Sequence, residues 1–227
     1  MGRSRRFLID VDGTLFDFDR SESEAFRKLC AHLGVPCTEE LHAHYHDVNL
    51  SYWKLYEKGL AEREYFFPQR FIDAFRDFGY ETDGQDANHA YLEFLSRECF
   101  VYPGAMELIQ ELSGRGFVYL CTNGDALVQE RRLEASGILP YVAGVFISEK
   151  VGCQKPTKEY FSEVFKTVPY GPDCIMIGDS LTSDILGGVH ASLDTVWYCP
   201  PGTVNDHPEI RPTYTVSALP DILKIIS

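Results

Sequence analysis

Acidic residues crowd the end of the first apolar run, RFLIDVDGTLFDFD, where Asp10, Asp12, Asp17 and Asp19 fall close together. Like charges held near one another cost free energy unless something neutralises them. Three later stretches carry polar groups in comparable settings: Thr122-Asn123-Gly124, Lys155-Pro156, and Gly178-Asp179 with Asp184 five residues on. Two carboxylates such as Asp10 and Asp179 can hold Mg²⁺, a hard ion that prefers oxygen. Lys155 offers a compact positive charge. On this reading the acids are tolerated because a cation and a lysine neutralise them. Each piece alone also has a plainer reading. Asp12-Gly13 suits a turn, and Asp10, Asp179 or Asp184 suits a helix cap. Asp17 and Asp19 read as cap or linker residues facing water.

The surrounding pattern places these groups at strand ends. Short apolar runs at 6–10, 117–122, 142–148, 174–179, 195–199 and, weakly, 213–216 are rich in Val, Ile, Phe and Tyr and do not alternate cleanly. Continuous apolar strands suit a parallel sheet covered on both faces. Helical patterns at 104–114, 125–137, 157–168 and 183–192 lie between them. Alternation of strand and helix predicts an α/β fold, a Rossmann-like doubly wound parallel sheet. In such a sheet ligands bind beyond the carboxyl ends of the strands, where these polar residues stand. Residues 20–98 differ: four helical stretches, most closing at Gly, follow one another without a strand. They predict an inserted helical-bundle cap domain at 17–98, with residues 1–16 and 99–227 forming the core and hinges at 16–20 and 99–103.

Bulk properties narrow the class. The chain has 227 residues, 44% hydrophobic, with a formal net charge of -13. A body this acidic repels nucleic-acid backbones and anionic membranes, so an anionic substrate needs a local reversal of sign. No apolar run is long enough to span a bilayer, and the basic start MGRSRRFLID lacks the apolar segment of a secretory signal. The seven cysteines are scattered, none in a C-x-x-C pair. Together these features predict a cytoplasmic protein with reduced thiols.

Four motifs in order resemble those of the haloacid dehalogenase-like (HAD) hydrolases: D-x-D-G-T at Asp10 to Thr14, Thr122 after the second core strand, Lys155-Pro156, and G-D-x-x-x-x-D from Gly178 to Asp184. The resemblance implies a Mg²⁺-dependent phosphomonoester hydrolase. Asp10 is then the nucleophile that forms an aspartyl phosphate, and Asp12 the general acid and base. The metal set is Asp10, Asp179, the backbone carbonyl of Asp12, and Asp184 in support. Thr122, Asn123 and Lys155 bind the phosphoryl group. Dehalogenases of this superfamily lack a carboxylate at the position of Asp12, so its presence favours phosphoryl transfer.

The stretches EELHAHYHDVNLSYWKLYEKG, EYFFPQRF and TNGDALVQERRLEASGI look like those of the bacterial pyrimidine 5′-nucleotidases of this superfamily. That likeness implies a small phosphorylated metabolite as partner, a nucleoside monophosphate above others. Asn49 offers the donor and acceptor a pyrimidine edge needs, and Trp53 a ring to stack on a base. Both residues equally suit simple packing. A sugar-phosphate or phosphoglycolate-type phosphatase, or a phosphomutase, is the alternative. His42, His44 and His46 have helical spacing for a metal pair, though a solvated helix face is the expectation.

Overall fold

The computed structural model describes residues 5–226; the basic start, residues 1–4, and Ser227 lie outside them. The chain divides into two compact units, Met1–Phe18 with Cys99–Ser227, and Asp19–Glu98.

The first unit is built on six parallel strands: β1 (Arg5–Ile9), β2 (Gly116–Thr122), β3 (Gly144–Ile147), β4 (Cys174–Gly178), β5 (Asp194–Tyr198) and β6 (Tyr214–Val216). Their order is β3-β2-β1-β4-β5-β6. The chain leaves β1 to build one side and returns through β4 to build the other. The β1–β4 boundary is therefore the switch point where a crevice opens at the strand ends. Registers Ile9↔Leu120 and Ile9↔Ile177 bring the ends of β1, β2 and β4 level.

Successive strand residues face opposite layers, and both layers are apolar. Phe7, Ile9, Val118, Leu120, Ile175 and Ile177 pack with Leu108, Ile109 and Leu112 of helix α5 (Ala105–Arg115) and with Leu219 and Ile222 of the C-terminal helix. Leu8, Cys121 and Met176 pack on the other face with Tyr160, Phe161 and Val164. This double burial is why the strands read as unbroken apolar runs.

In chain order the helices are α1 (Phe18–Leu33), α2 (Glu39–Glu57), α3 (Arg63–Arg76), α4 (Gly84–Leu95), α5, α6 (Ala126–Ser136), α7 (Ser148–Val151), α8 (Lys158–Thr167), α9 (Leu186–His190) and α10 (Leu219–Ile225). Local signals set their starts. Thr38 caps α2, Asp83 caps α4, Asp125 caps α6 and Thr157 caps α8, each accepting a backbone N–H of the first turn. The helix expected over 183–192 starts instead as a π turn, Leu181–Ile185, running into α9. Ser180 caps it, rather than Asp179 or Asp184.

The two crossings into the helical unit run side by side. Phe16 bridges Val101, and the Asp17 N–H donates to the Phe100 carbonyl at 2.8 Å. The helical unit has its own aromatic core. Tyr45 stacks on Phe26 at 4.2 Å and on Phe71 at 5.3 Å, and Phe71 meets Tyr91. One ring from each of α1 to α4 thus meets in this core. Among the described residues no helix is long and apolar enough to cross a membrane.

Candidate active site

Strand ends, tight loops and one fork of hydrogen bonds bring the polar motifs together. Asp10 stands one residue beyond β1, its N–H donating to the Ile177 carbonyl at 2.9 Å, so the sheet ladder itself aims it. The chain then closes a loop in which the Leu15 and Phe16 N–H groups both donate to the Val11 carbonyl. Gly13 takes a φ of 84°, and a Cβ there would come within 2.4 Å of an Asp179 carboxylate oxygen. Glycine is required on both counts.

Lys155 is the hub. Its ammonium is buried and donates to Asp10 Oδ1 at 2.6 Å, Asp184 Oδ1 at 2.6 Å and the Cys121 carbonyl at 2.7 Å, so all three of its donors are engaged within the protein. Its backbone is clamped in turn. Asn123 accepts from the Lys155 N–H and donates to the Lys155 carbonyl, each at 2.9 Å, and also donates to Ser183. Asn123, expected to bind phosphate, thus serves through its side chain as a strut for Lys155. Thr122 lies buried at the end of β2, its hydroxyl accepting from the Gly124 N–H at 3.2 Å.

Carboxylate oxygens of Asp10, Asp179 and Asp184 all lie within 4.8 Å of one another. Asp179 is half-buried; Thr14 donates to its Oδ1 at 2.8 Å and the Trp197 indole to its carbonyl at 2.8 Å. Asp184 accepts the Ser180 N–H on its second oxygen at 3.1 Å. Burial and the charge of Asp184 push Asp10 well above the ordinary carboxylate range, against the pull of Lys155. Burial, with Asp184 beside it, pushes Asp179 up to about 7. Burial opposes the charge of Lys155, but Asp10 and Asp184 outweigh it and raise the pKa of the ammonium above its ordinary value. With all three carboxylates ionised, one lysine leaves negative charge in excess, and the raised pKa values register that excess. Hard oxygen donors with unbalanced charge are the donor set a divalent cation such as Mg²⁺ fits.

Asp12 faces a different environment. Arg132 Nη1 donates to its Oδ1 at 2.6 Å and Gln129 Nε2 to its Oδ2 at 2.5 Å. Neither partner was singled out in the sequence. Yet Val128, Gln129, Arg132 and Leu133 form the buried face of α6. Two polar residues on an apolar helical face were the available signal.

The residues expected to read a base lie in the helical unit. Asn49 is buried; it donates to Glu22 Oε1 at 2.6 Å and accepts from Arg70 Nη1 at 2.6 Å. The donor and acceptor expected at a pyrimidine edge are therefore both engaged by the protein. Trp53 is half-buried, edge-on to Tyr56, Phe66 and Phe67 at 5.8, 5.2 and 5.6 Å. The three histidines diverge. His42 meets the Phe26 ring, His44 pairs with Asp77 at 3.1 Å, and His46 with Glu22 at 2.6 Å. Among the described residues the group of three or more metal-type side chains is Asp10, Asp179 and Asp184, with no histidine in it.

A parallel α/β sheet with a helical insertion after its first strand, and acids gathered at its switch point, is a hydrolase architecture with sequence relatives. Residues 5–192 match the haloacid dehalogenase-like hydrolase family, and the chain belongs to it. It is 38% identical to the HAD-hydrolase YfnB of Bacillus subtilis over all of this chain and 97% of YfnB. A crystal structure of YfnB bound to magnesium superposes with a TM-score of 0.94, covering 100% of both chains. Two pyrimidine 5′-nucleotidases are also similar. PynA of Streptococcus pneumoniae is 35% identical, covering 95% of this chain and 92% of PynA. YjjG of Escherichia coli is 31% identical, covering 96% of each.

Proposed function

We propose that the protein is a Mg²⁺-dependent phosphomonoester hydrolase that works through an aspartyl phosphate on Asp10 and acts on pyrimidine nucleoside 5′-monophosphates. The observation that carries the reading is the cluster of three carboxylates, two of them bound by one lysine, with Asp12 two residues from the nucleophile. The 35% and 31% identity to PynA and YjjG supports the substrate class.

Asp10, Asp179 and the Asp12 carbonyl would hold the metal, with Asp184 in support, and the ion would supply positive charge against the repulsion between a phosphate dianion and a carboxylate. The rest falls to side chains. A carboxylate oxygen of Asp10 attacks phosphorus, and the bond to the ester oxygen breaks with its electron pair on that oxygen. The leaving oxygen takes a proton from Asp12. Water then attacks phosphorus, its proton passes to Asp12, and the bond to Asp10 breaks, releasing inorganic phosphate. Lys155 balances Asp10 and Asp184 throughout. Thr122 and the backbone N–H groups around it receive phosphoryl oxygens.

The test is phosphate release across nucleoside monophosphates, hexose phosphates and phosphoglycolate, with Mg²⁺ and with EDTA. The expected result is Mg²⁺-dependent release, fastest from pyrimidine 5′-monophosphates. Preference for hexose phosphates or phosphoglycolate would remove the nucleotide assignment. Isomer formation without phosphate release would replace hydrolase by mutase.

A further inference from the structure

Arg132 is fully buried and lies on α6 with Gln129 one turn before it. Burying a guanidinium is costly unless a carboxylate meets it. Here that carboxylate is Asp12, whose side chain keeps 22% exposure while Arg132 has 0%. The pair is lopsided: the arginine is sealed in, and the Asp12 side chain stays partly exposed. Gln129 grips the other oxygen of the same group. Rotation of an aspartate carboxyl about its last torsion is broad and nearly two-fold. Donors from two different side chains, one on each oxygen, stop that rotation.

The grip is itself braced. The Arg132 guanidinium stands 5.1 Å from the Phe16 ring centroid and 6.0 Å from that of Phe18. Cys99 Sγ donates to the Arg132 carbonyl at 3.3 Å. Gly124 leaves room for Gln129, since a Cβ there would sit 2.3 Å from the Gln129 amide nitrogen.

We propose that Arg132, seconded by Gln129, is a positioning residue that sets where the Asp12 carboxyl lies when the leaving oxygen is protonated. The inference rests on the phosphomonoesterase reading above, in which Asp12 serves the leaving group.

Two aryl phosphates of nearly the same shape test it. p-Nitrophenolate departs readily without a proton, whereas phenolate departs poorly. The ratio of kcat/KM for p-nitrophenyl phosphate to that for phenyl phosphate therefore reads the proton delivered to the leaving group, and a loss of folded protein cancels from it. Arg132→Met is expected to raise that ratio at least about tenfold, within the range general acids contribute. Arg132→Lys should restore part of it, and Gln129→Leu should raise it about threefold. Should Arg132→Met fold poorly, the ratio for Gln129→Leu decides. Equal losses on both substrates in either variant overturn the inference, provided Asp12→Asn itself raises the ratio. If Asp12→Asn also loses equally on both, the acid role of Asp12 fails instead, and the inference falls with it.

Discussion

Each compact unit holds a cluster of buried charge, and the two are built on opposite principles. In the helical unit, buried Glu22 meets Asn49 and His46, while buried Arg70 donates to Asn49, Asn88 and the Phe67 carbonyl. One carboxylate and one guanidinium are joined through an amide, and the signs balance. In the sheet unit, Asp10, Asp179 and Asp184 cluster together, and a single lysine, Lys155, pairs with two of them. Desolvating a charge costs several kcal/mol per ion unless partners compensate it. The first cluster is compensated and holds four helices in register. The second is left with an excess of acid, which burdens the fold and suits it to bind a cation. Imbalance rather than burial separates the proposed site from the scaffold.

The largest test of that contrast is Asp10→Asn. Activity should fall by a factor on the order of 10³ or more, as loss of a nucleophile does. Thermal stability without metal should rise, because a carboxylate raised well above its ordinary range by burial is a burden on the fold. Calorimetry and phosphate release on one preparation check both; a lower melting temperature would break the contrast.

Arg70→Met should do the reverse. It strands the acceptors of Asn49, Asn88 and Phe67, costing about 3 kcal/mol in urea unfolding. The kcat per folded molecule should change by less than about fivefold, as a structural role requires.

Metal and pH sharpen the comparison further. Asp179 sits at about 7 in the fold against an ordinary 3.8. The folded state then binds more protons than the unfolded one between those values. The metal-free protein should lose stability as pH rises through that window. A divalent ion competes with the same proton, so the rise in Tm on adding MgCl₂ should be larger at about pH 8 than at about pH 5. Melting scans with EDTA or MgCl₂ at both pH values measure it; a gain independent of pH would separate the metal from Asp179.

The smallest effect belongs to His46. Its hydrogen bond to Glu22 raises its pKa above the ordinary value. Its contribution is full below the ordinary histidine value and lost as pH rises through the raised one. Because its side chain is 41% exposed, that contribution stays under about 1 kcal/mol. His46→Gln should flatten the pH dependence of unfolding in that range and leave activity unchanged.

Most of this architecture was legible in the residues. Strands covered on both faces carry runs of apolar residues, so residues 7–9 of β1, and β2 and β4, announced themselves, and Asp10, Thr122 and Asp179 could be placed at their ends. Short-range hydrogen bonding made helix starts visible at Thr38, Asp125 and Thr157, while α4 starts at its cap Asp83, three residues before the expected Asp86. The π turn at Leu181–Ile185 was not visible, because Ser180 and Asp184 both offer caps and only packing chooses between them.

By itself the sequence determined the order of the strands and of the longer helices, though not α7 or α10, the insertion after β1, and which acids stand at strand ends, since periodicity and capping act over a few residues. Tertiary structure alone decided the rest. Asn49 went into a buried network with Glu22 and Arg70, Asn123 became a clamp on the Lys155 backbone, and Arg132 reached Asp12 from 120 residues away. A polar side chain on an apolar helical face is equally consistent with a ligand, a cap or a buried partner. Which one it meets depends on where the rest of the chain folds, and that information is nowhere local.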